Sequence, residues 1–230
     1  NTNDLVDFVI VADGIFSSTK SFFEKKKNEP KYKKALAVRV ILKSKAGLNI
    51  NDQNISLMMG SNSHIAIYPV NKKKELNMAC IIRSKKYDPA NIKSLIESVV
   101  LKQNPNLKTV FDNEIKSWPL YYTPKILPSS NKKVFYIGDA FNGFLPTLAQ
   151  GAGQSIESAY EIFNLLKEDK LANTNSYFEE RSQRATIVRK RSNLNFLVFH
   201  FSSFFMQKIR NIFLKFLVSR KIFIEGYLGK

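Results

Sequence analysis

Two short apolar runs constrain this chain more than any other feature. Asp7-Phe8-Val9-Ile10-Val11-Ala12 stops at Asp13-Gly14, and Val134-Phe135-Tyr136-Ile137 stops at Gly138-Asp139. Continuous apolar runs of this length, closed by turn residues, read as buried strands entering tight turns. Each carries a carboxylate and a glycine into the loop that follows. Behind the second, Gln150-Gly151-Ala152-Gly153 opens a helix that the pattern extends from Gly151 to Lys167, with Ile156, Tyr160, Ile162, Phe163 and Leu166 available for burial. Glycine lets backbone approach a ligand closely, and a helix N-terminus offers free N–H groups and a partial positive charge. A carboxylate at a strand end accepts hydrogen bonds from the hydroxyls of a ribose- or ribityl-like chain. Together these parts suit a phosphorylated, polyhydroxy, partly anionic cofactor. Gly151-Ala152-Gly153 is not a dinucleotide fingerprint, because it follows a loop rather than a strand.

Between the two runs the pattern is β-rich. Ala35 to Leu42, Ile55 to Met59, His64 to Val70 and Leu76 to Ile82 read as strands, and Ser21 to Lys34 as a basic, polar connector. Gly60-Ser61-Asn62 and Asn71-Lys72-Lys73-Lys74 supply turns between the later three strands, which predicts an antiparallel meander. Asp88-Pro89 opens a helix, Asp as N-cap and Pro where its missing N–H costs nothing, and Ile92, Leu95, Ile96, Val99 and Val100 give it one apolar face. Pro119, Pro124 and Pro128 mark an extended crossing segment. The remainder reads as helical, with a break near Asn173 to Asn175.

Composition narrows the chemistry. With 230 residues, 44% of them hydrophobic and 12% aromatic, the chain can bury a core, so wholesale disorder is excluded. One cysteine, Cys80, excludes a disulfide framework, and with two histidines, His64 and His200, no multi-cysteine or histidine-rich metal centre is expected. No apolar run reaches the ~18 residues of a membrane-spanning helix. The opening Asn1-Thr2-Asn3-Asp4 carries no leader pattern, and the expectation is a piece of a longer protein. The net charge is +17, from 36 basic and 19 acidic residues. From Arg181 to Lys230 there are eleven basic residues against one acidic residue, Glu225, and lysines also cluster at Lys25 to Lys27, at Lys31, Lys33 and Lys34, and at Lys72 to Lys74. With neither a zinc finger nor an RRM aromatic motif, this charge reads as solvated surface and no nucleic-acid partner is expected.

The two motifs resemble a known family. Asp13-Gly14-x-x-Ser17-x-x-Lys20, followed about 125 residues later by Gly138-Asp139-Ala140, Pro146 and Gln150-Gly151, is similar to the pattern of the FAD-dependent aromatic hydroxylases. This is the para-hydroxybenzoate hydroxylase superfamily, including salicylate hydroxylase-like and ubiquinone-ring hydroxylase-like enzymes. His64-Ile65-Ala66-Ile67-Tyr68-Pro69-Val70 resembles the Tyr-Pro strand of the salicylate hydroxylase-like members. The resemblance implies an α/β fold: a partial FAD-binding, Rossmann-like domain, an inserted, mostly antiparallel substrate-domain sheet, and a helical C-terminal region. It divides the chain into 1–20 (FAD-domain strand and Asp-Gly motif), 21–125 (substrate domain), 126–172 (second FAD-domain strand, Gly-Asp loop and flavin-facing helix) and 173–230 (basic, aromatic helices).

Carried over by position, the resemblance implies that Asp139 binds the ribityl chain of FAD, with Gly138 allowing close approach. Pro146, Gln150, Gly151 and Ala152 pass beside the isoalloxazine ring, and Asp13 and Gly14 sit by the pyrophosphate. The implied reaction is a monooxygenation in which NAD(P)H reduces FAD, O2 adds to give a hydroperoxyflavin, and an aromatic or quinone-like ring is hydroxylated. The family's first unit, a strand–Gly-x-Gly-x-x-Gly–helix for the adenosine half of FAD, is absent. The resemblance therefore implies the C-terminal part of a monooxygenase, either a truncated piece or one half of a split gene with a separate N-terminal half, that binds FAD poorly alone. Lys20 stands for the usual Arg, Phe141-Asn142 for Ala-His, Gly153 for Asn, and Ser158 for Asp.

His64 and Tyr68, near the strand that would line the substrate cavity, are the candidate substrate contacts. On residue type alone, His64 reads as a solvent-contacting turn histidine and Tyr68 as packed on the sheet. His200, among Phe199, Phe201, Phe204 and Phe205, reads as a satisfied packing residue, and Cys80 as inert. In the tail, Leu194, Leu197, Val198, Phe201, Phe205, Ile209, Ile212, Phe213 and Phe216 recur at helical spacing, flanked by Lys208, Arg210 and Lys215. Two readings follow: a helix covering the core, or an interfacial helix on an anionic membrane. The expected location is cytoplasmic, with peripheral contact to the inner membrane under the second reading. The alternative to an enzyme is a noncatalytic, basic, membrane-associating module that keeps the fold without binding cofactor.

Overall fold

The computed structural model describes residues 5–24, 29–43, 48–126, 129–168 and 174–218. Lys25 to Lys27, Pro128, Asn173 and the tail beyond Val218, all read from sequence above, lie outside the described residues. In chain order the elements are β1 (Val9–Val11), α1 (Ser18–Phe23), β2 (Lys31–Leu42), β3 (Ser56–Met59), β4 (Ser63–Val70), β5 (Glu75–Arg83), α2 (Ile92–Leu95), α3 (Lys108–Phe111), β6 (Lys116–Tyr122), β7 (Val134–Tyr136), α4 (Gly138–Phe141), α5 (Gly151–Lys167), α6 (Thr174–Phe199) and α7 (Phe204–Val218). The fold is mixed α/β, with a two-stranded sheet of order β1-β7 and a five-stranded sheet of order β3-β4-β5-β2-β6. The chain forms two compact units: Asn1–Lys33 with Pro119–Phe196, and Lys34–Trp118 with Leu197–Lys230.

In the second unit, β3, β4 and β5 form the expected antiparallel meander, and β5 pairs antiparallel with β2 from Ala35↔Arg83 to Leu42↔Leu76. The turn chemistry acts as its residue types require, with Asn62, Asn71 and Lys72 all at positive φ. Leu36, Val38, Val40, Ile65, Ile67, Met78, Cys80 and Ile82 form the buried face of the sheet, and Ile92, Ile96, Val100, Leu107 and Val110 pack on it. Asp88 caps the helical segment as expected, its Oδ1 accepting from Ala90 N at 3.0 Å. The segment runs through a 3-10 turn (Pro89–Asn91) and α2 into a π-helical stretch, Ile96–Leu101.

In the first unit, β7 is buried throughout and Val11 of β1 is buried beside it. One side of the pair packs Val11, Val134 and Tyr136 against Ala140, Phe141 and Ala185; the other packs Phe135 against Ile162, Tyr177 and Phe178.

Several expectations are corrected. β1 is only half buried, with Ile10 44% exposed, because β7 is its one strand neighbour among the described residues. The stretch from Ser21 to Lys34, read as a connector, holds the end of α1 and the first residues of β2, since Ser17 caps a short helix that runs into it and Tyr32 and its neighbours belong to the strand. Helix α5 has the expected bounds, yet Ile156, Tyr160 and Phe163 point outward while Gln154, Ser158 and Ile162 are buried. Of the break read near Asn173 to Asn175, Thr174 and Asn175 belong to α6, and Asn173 lies outside the described residues. A second break, between Phe199 and Phe204, divides the tail into two helices.

Candidate functional site

The parallel register Val9↔Val134, Ile10↔Phe135, Val11↔Tyr136 places the C-terminal ends of β1 and β7 side by side. Both motifs therefore leave the sheet at the same end, where open α/β sheets bind ligands. Gly14 takes φ +85 and Gly138 takes φ +58, the left-handed region that favours glycine. At Gly138 a Cβ would also meet Ser155 Oγ at 3.0 Å, so the N-terminal part of α5 lies directly against the Gly-Asp turn. Asp13, Gly14, Gly138, Asp139, Gly151 and Ala152 thus all belong to this unit, at one end of its sheet and the helix start beside it. Pro146 begins a 3-10 turn, Pro146–Leu148. That turn is tied to α6 by Thr147 Oγ1, which donates to Ser192 O at 2.6 Å, and by Asn195 Nδ2, which donates to Thr147 O at 3.0 Å.

Asp13 is exposed, and its Oδ2 accepts from Thr19 N at 3.2 Å. Burial raises its carboxyl slightly, but hydrogen bonds from Ser17 and Thr19 outweigh that and hold it below the ordinary value. Asp139 is different. It has no hydrogen-bond or ion-pair partner among the described residues, and the protein packed around it pushes its carboxyl above the ordinary value although its side chain reaches solvent. Gln150 makes no side-chain cap at the start of α5, and a Cβ on Gly151 would meet nothing within 4 Å. The result is an unpartnered carboxylate, open space at a glycine and an uncapped 17-residue helix start at one end of a parallel sheet. These residues fit the hydroxylated and ring portions of FAD. Asn142, the residue in the usual His position, is not such a contact: it is fully buried, and neither of its carboxamide atoms has a partner.

Lys20 was singled out from sequence only as a replacement for Arg. Its ammonium donates to Ala140 O at 3.0 Å and to Phe141 O at 3.1 Å and lies 4.9 Å from the centre of the Tyr136 ring. Burial lowers its pKa to about 8, with Glu24 opposing. Ser155 was missed altogether. Its position near the start of α5 was the available signal, but only the fold brings that part of the helix to Gly138.

In the second unit, His64 lies inside β4 and is 5% exposed, which overturns its reading as a solvent-contacting turn residue. Its Nδ1 is 3.0 Å from Nε2 of His200, which is 1% exposed, and the Phe199 ring stands edge-on at 5.2 Å. Burial, and then the neighbouring His200, lower the His64 pKa to about 3. His64 is therefore a buried neutral partner of His200. Tyr68 is half-buried on β4, opposite Asn77. Cys80 is fully buried and its thiol pKa is raised by that burial, in keeping with an inert residue.

On α7, Phe204, Phe205, Ile209, Ile212, Phe213 and Phe216 are all exposed and Arg210 is buried, which overturns the reading of this helix as a cover for the core. Arg210 donates to Val198 O at 3.3 Å and to Met59 O at 3.4 Å. Among the described residues no helix is long and apolar enough to cross a membrane.

Solved structures share this fold. HpxO of Klebsiella pneumoniae, complexed with FAD and uric acid, aligns with a TM-score of 0.77 at 14% identity, over 89% of this chain and 56% of that one. A salicylate hydroxylase substrate complex aligns at 0.70 with 18% identity, over 97% and 64%, and tetracycline destructase Tet(55) at 0.65 with 17%, over 96% and 60%. The chain therefore spans 56–64% of the length of these structures. No curated protein matches it in sequence. The squalene epoxidase family model matches residues 6–228, nearly end to end, and the chain belongs to the squalene epoxidase family.

Proposed function

We propose that the chain is the flavin-ring and substrate-sheet portion of an FAD-dependent monooxygenase, working with an N-terminal half that supplies the adenosine site. The observation that carries this reading is the parallel β1–β7 register, which delivers Asp13-Gly14 and Gly138-Asp139 to one sheet end beside the start of α5. Asp139 accepts hydrogen bonds from the ribityl hydroxyls, and Gly138 lets the backbone come close. Pro146, Gln150, Gly151 and Ala152 flank the isoalloxazine ring, where the α5 N-terminus favours negative charge by about 0.3–1 kcal/mol. Asp13 and Gly14 lie toward the pyrophosphate. When bound, FAD passes electrons from NAD(P)H to O2 and so places one oxygen atom on the substrate; the protein binds, orients and shields. The substrate class is a lipid-soluble unsaturated molecule: an aromatic or quinone-like ring, or an alkene of the kind the family name records.

Titration with FAD of the chain joined with a complementing N-terminal half tests the site. Asp139→Ala removes hydrogen bonds to a charged acceptor and is expected to weaken FAD binding about tenfold to a hundredfold. Equal affinity of the two proteins for FAD overturns the assignment of Asp139. Joined with a complementing N-terminal half, the chain is expected to give a yellow complex that oxidises NAD(P)H. A colourless complex favours the noncatalytic alternative.

A second reading, peripheral membrane association at the cytoplasmic face of the inner membrane, is favoured by one feature. Helix α7 turns Phe204, Phe205, Ile212, Phe213 and Phe216 to solvent, all at least 59% exposed, with Lys208 and Lys215 on the same helix. Aromatic anchors flanked by lysines suit an anionic interface, and such a surface is where a lipid-soluble substrate is found. The chain is expected to sediment with anionic liposomes and to be released by salt, the screening length falling from about 10 Å at 0.1 M to about 3 Å at 1 M. Absence of binding at low salt removes this reading.

A further inference from the structure

The Asp-Gly motif has a structural output that its own residues make visible. Ser17 Oγ accepts from Lys20 N at 2.9 Å and Asp13 Oδ2 accepts from Thr19 N at 3.2 Å, so the motif caps and fixes α1. Lys20 projects from that capped turn to Ala140 O and Phe141 O, 120 and 121 residues away in sequence. Those two residues end α4, a four-residue turn that opens at Gly138 in the left-handed region and carries Asp139 as its second residue. Such a turn is too short to be held by helix propensity. Its last carbonyls have no intrahelical partners, and Ala140 and Phe141 are 2% and 4% exposed, so water does not replace the missing donors. The Tyr136 and Phe141 rings, 4.9 and 6.0 Å from the ammonium, line the same pocket. Glu24, the residue that caps the end of α1, accepts from Tyr136 OH at 2.7 Å and from Ser130 N at 3.0 Å, so the end of α1 also grips the strand that feeds the turn.

We propose that Lys20 is a positioning residue for cofactor binding: it links the two motifs through one side chain and sets the turn from which Asp139 reaches the flavin. It touches neither cofactor nor substrate, and its bearing on FAD rests on the flavin reading given above. The link itself is a property of this chain and can be read without cofactor, because Asn142 N donates to Gly138 O at 3.1 Å across the turn and reports its closure by amide exchange.

The test compares wild type, Lys20→Met, Lys20→Gln and Lys20→Arg in the full chain, by amide exchange, and by FAD titration of each joined with a complementing N-terminal half. In Lys20→Met the Asn142 amide is expected to exchange about tenfold faster, with the strands of the second unit unchanged, and FAD to bind about tenfold more weakly. Lys20→Arg, which keeps charge and donors, is expected to restore both to within about threefold of wild type. Lys20→Gln, with donors but no charge, falls between and serves if the methionine variant does not fold. Unchanged exchange at Asn142 in folded Lys20→Met or Lys20→Gln overturns the proposal, as does faster exchange spread evenly through the unit or a failure of arginine to rescue. Should wild type joined with a complementing N-terminal half show no affinity for FAD, the flavin reading falls and the exchange data alone decide the role of Lys20.

Discussion

Arg181→Ala is expected to destabilise the first unit by about 3 kcal/mol, read as a lower denaturant midpoint. Arg181 is 3% exposed on α6 and spends both terminal nitrogens on α5. Nη1 reaches Glu157 at 3.0 Å and Glu161 at 3.3 Å, while Nη2 donates to Gln154 O at 3.2 Å and Gln154 Oε1 at 2.9 Å. Removing one partner from a buried set costs about 3–5 kcal/mol because the others are left desolvated. Glu157 and Glu161 keep some contact with water, at 39% and 41% exposure, which places the expected loss at the lower end. Lysine does not rescue, since one ammonium cannot reproduce the guanidinium fork. An Arg181→Ala chain that unfolds at the wild-type denaturant concentration would falsify this account of the α5–α6 contact.

Acid is expected to act through His64. An unfolded histidine takes up its proton near pH 6.5, whereas folded His64 does so only near about 3. Between those values the unfolded chain binds more protons, so stability falls as pH falls through 6.5 and levels off below 3. Each pH unit in the window is worth about 1.4 kcal/mol, for a total of about 5 kcal/mol across it. The cause is local: burial comes first, then His200, whose ring nitrogen at 3.0 Å meets any charge placed on the pair. Urea unfolding over this pH range measures it. Wild type should lose stability more steeply than His64→Asn, which keeps a polar group near the Nδ1 position but does not titrate. Parallel curves for the two proteins rule the histidine pair out as the source.

Much of the architecture was legible in the sequence because local chemistry dictates it. Apolar runs closed by Asp-Gly and Gly-Asp gave the strands and turns of the cofactor end. Gly60-Ser61-Asn62 and Asn71 to Lys74 gave the meander, and Asp88-Pro89 gave a helix start, since each depends on residues a few positions apart. The resemblance to FAD-dependent hydroxylases rested on the same short motifs. Those motifs record how a flavin is held rather than what is oxidised, so they did not separate the squalene epoxidase family from its neighbours in fold.

What escaped the sequence depends on distant partners. Ile156, Tyr160 and Phe163 are apolar residues of α5 that face outward, yet Gln154 is buried because Arg181 on the next helix bonds it. His64 looks like a turn residue until His200 closes on it from 136 positions away. Lys20 looks like a weakened arginine until its ammonium is seen on Ala140 and Phe141. The sequence by itself determined where strands end, which turns form and what kind of cofactor the glycines and carboxylates suit, because those outcomes follow from backbone preferences and chemistry within a few residues. Only the tertiary structure decided which face of a helix is buried, which titratable groups lose water and which side chain joins the two motifs, because burial and pairing are set by residues that the chain brings together from far apart.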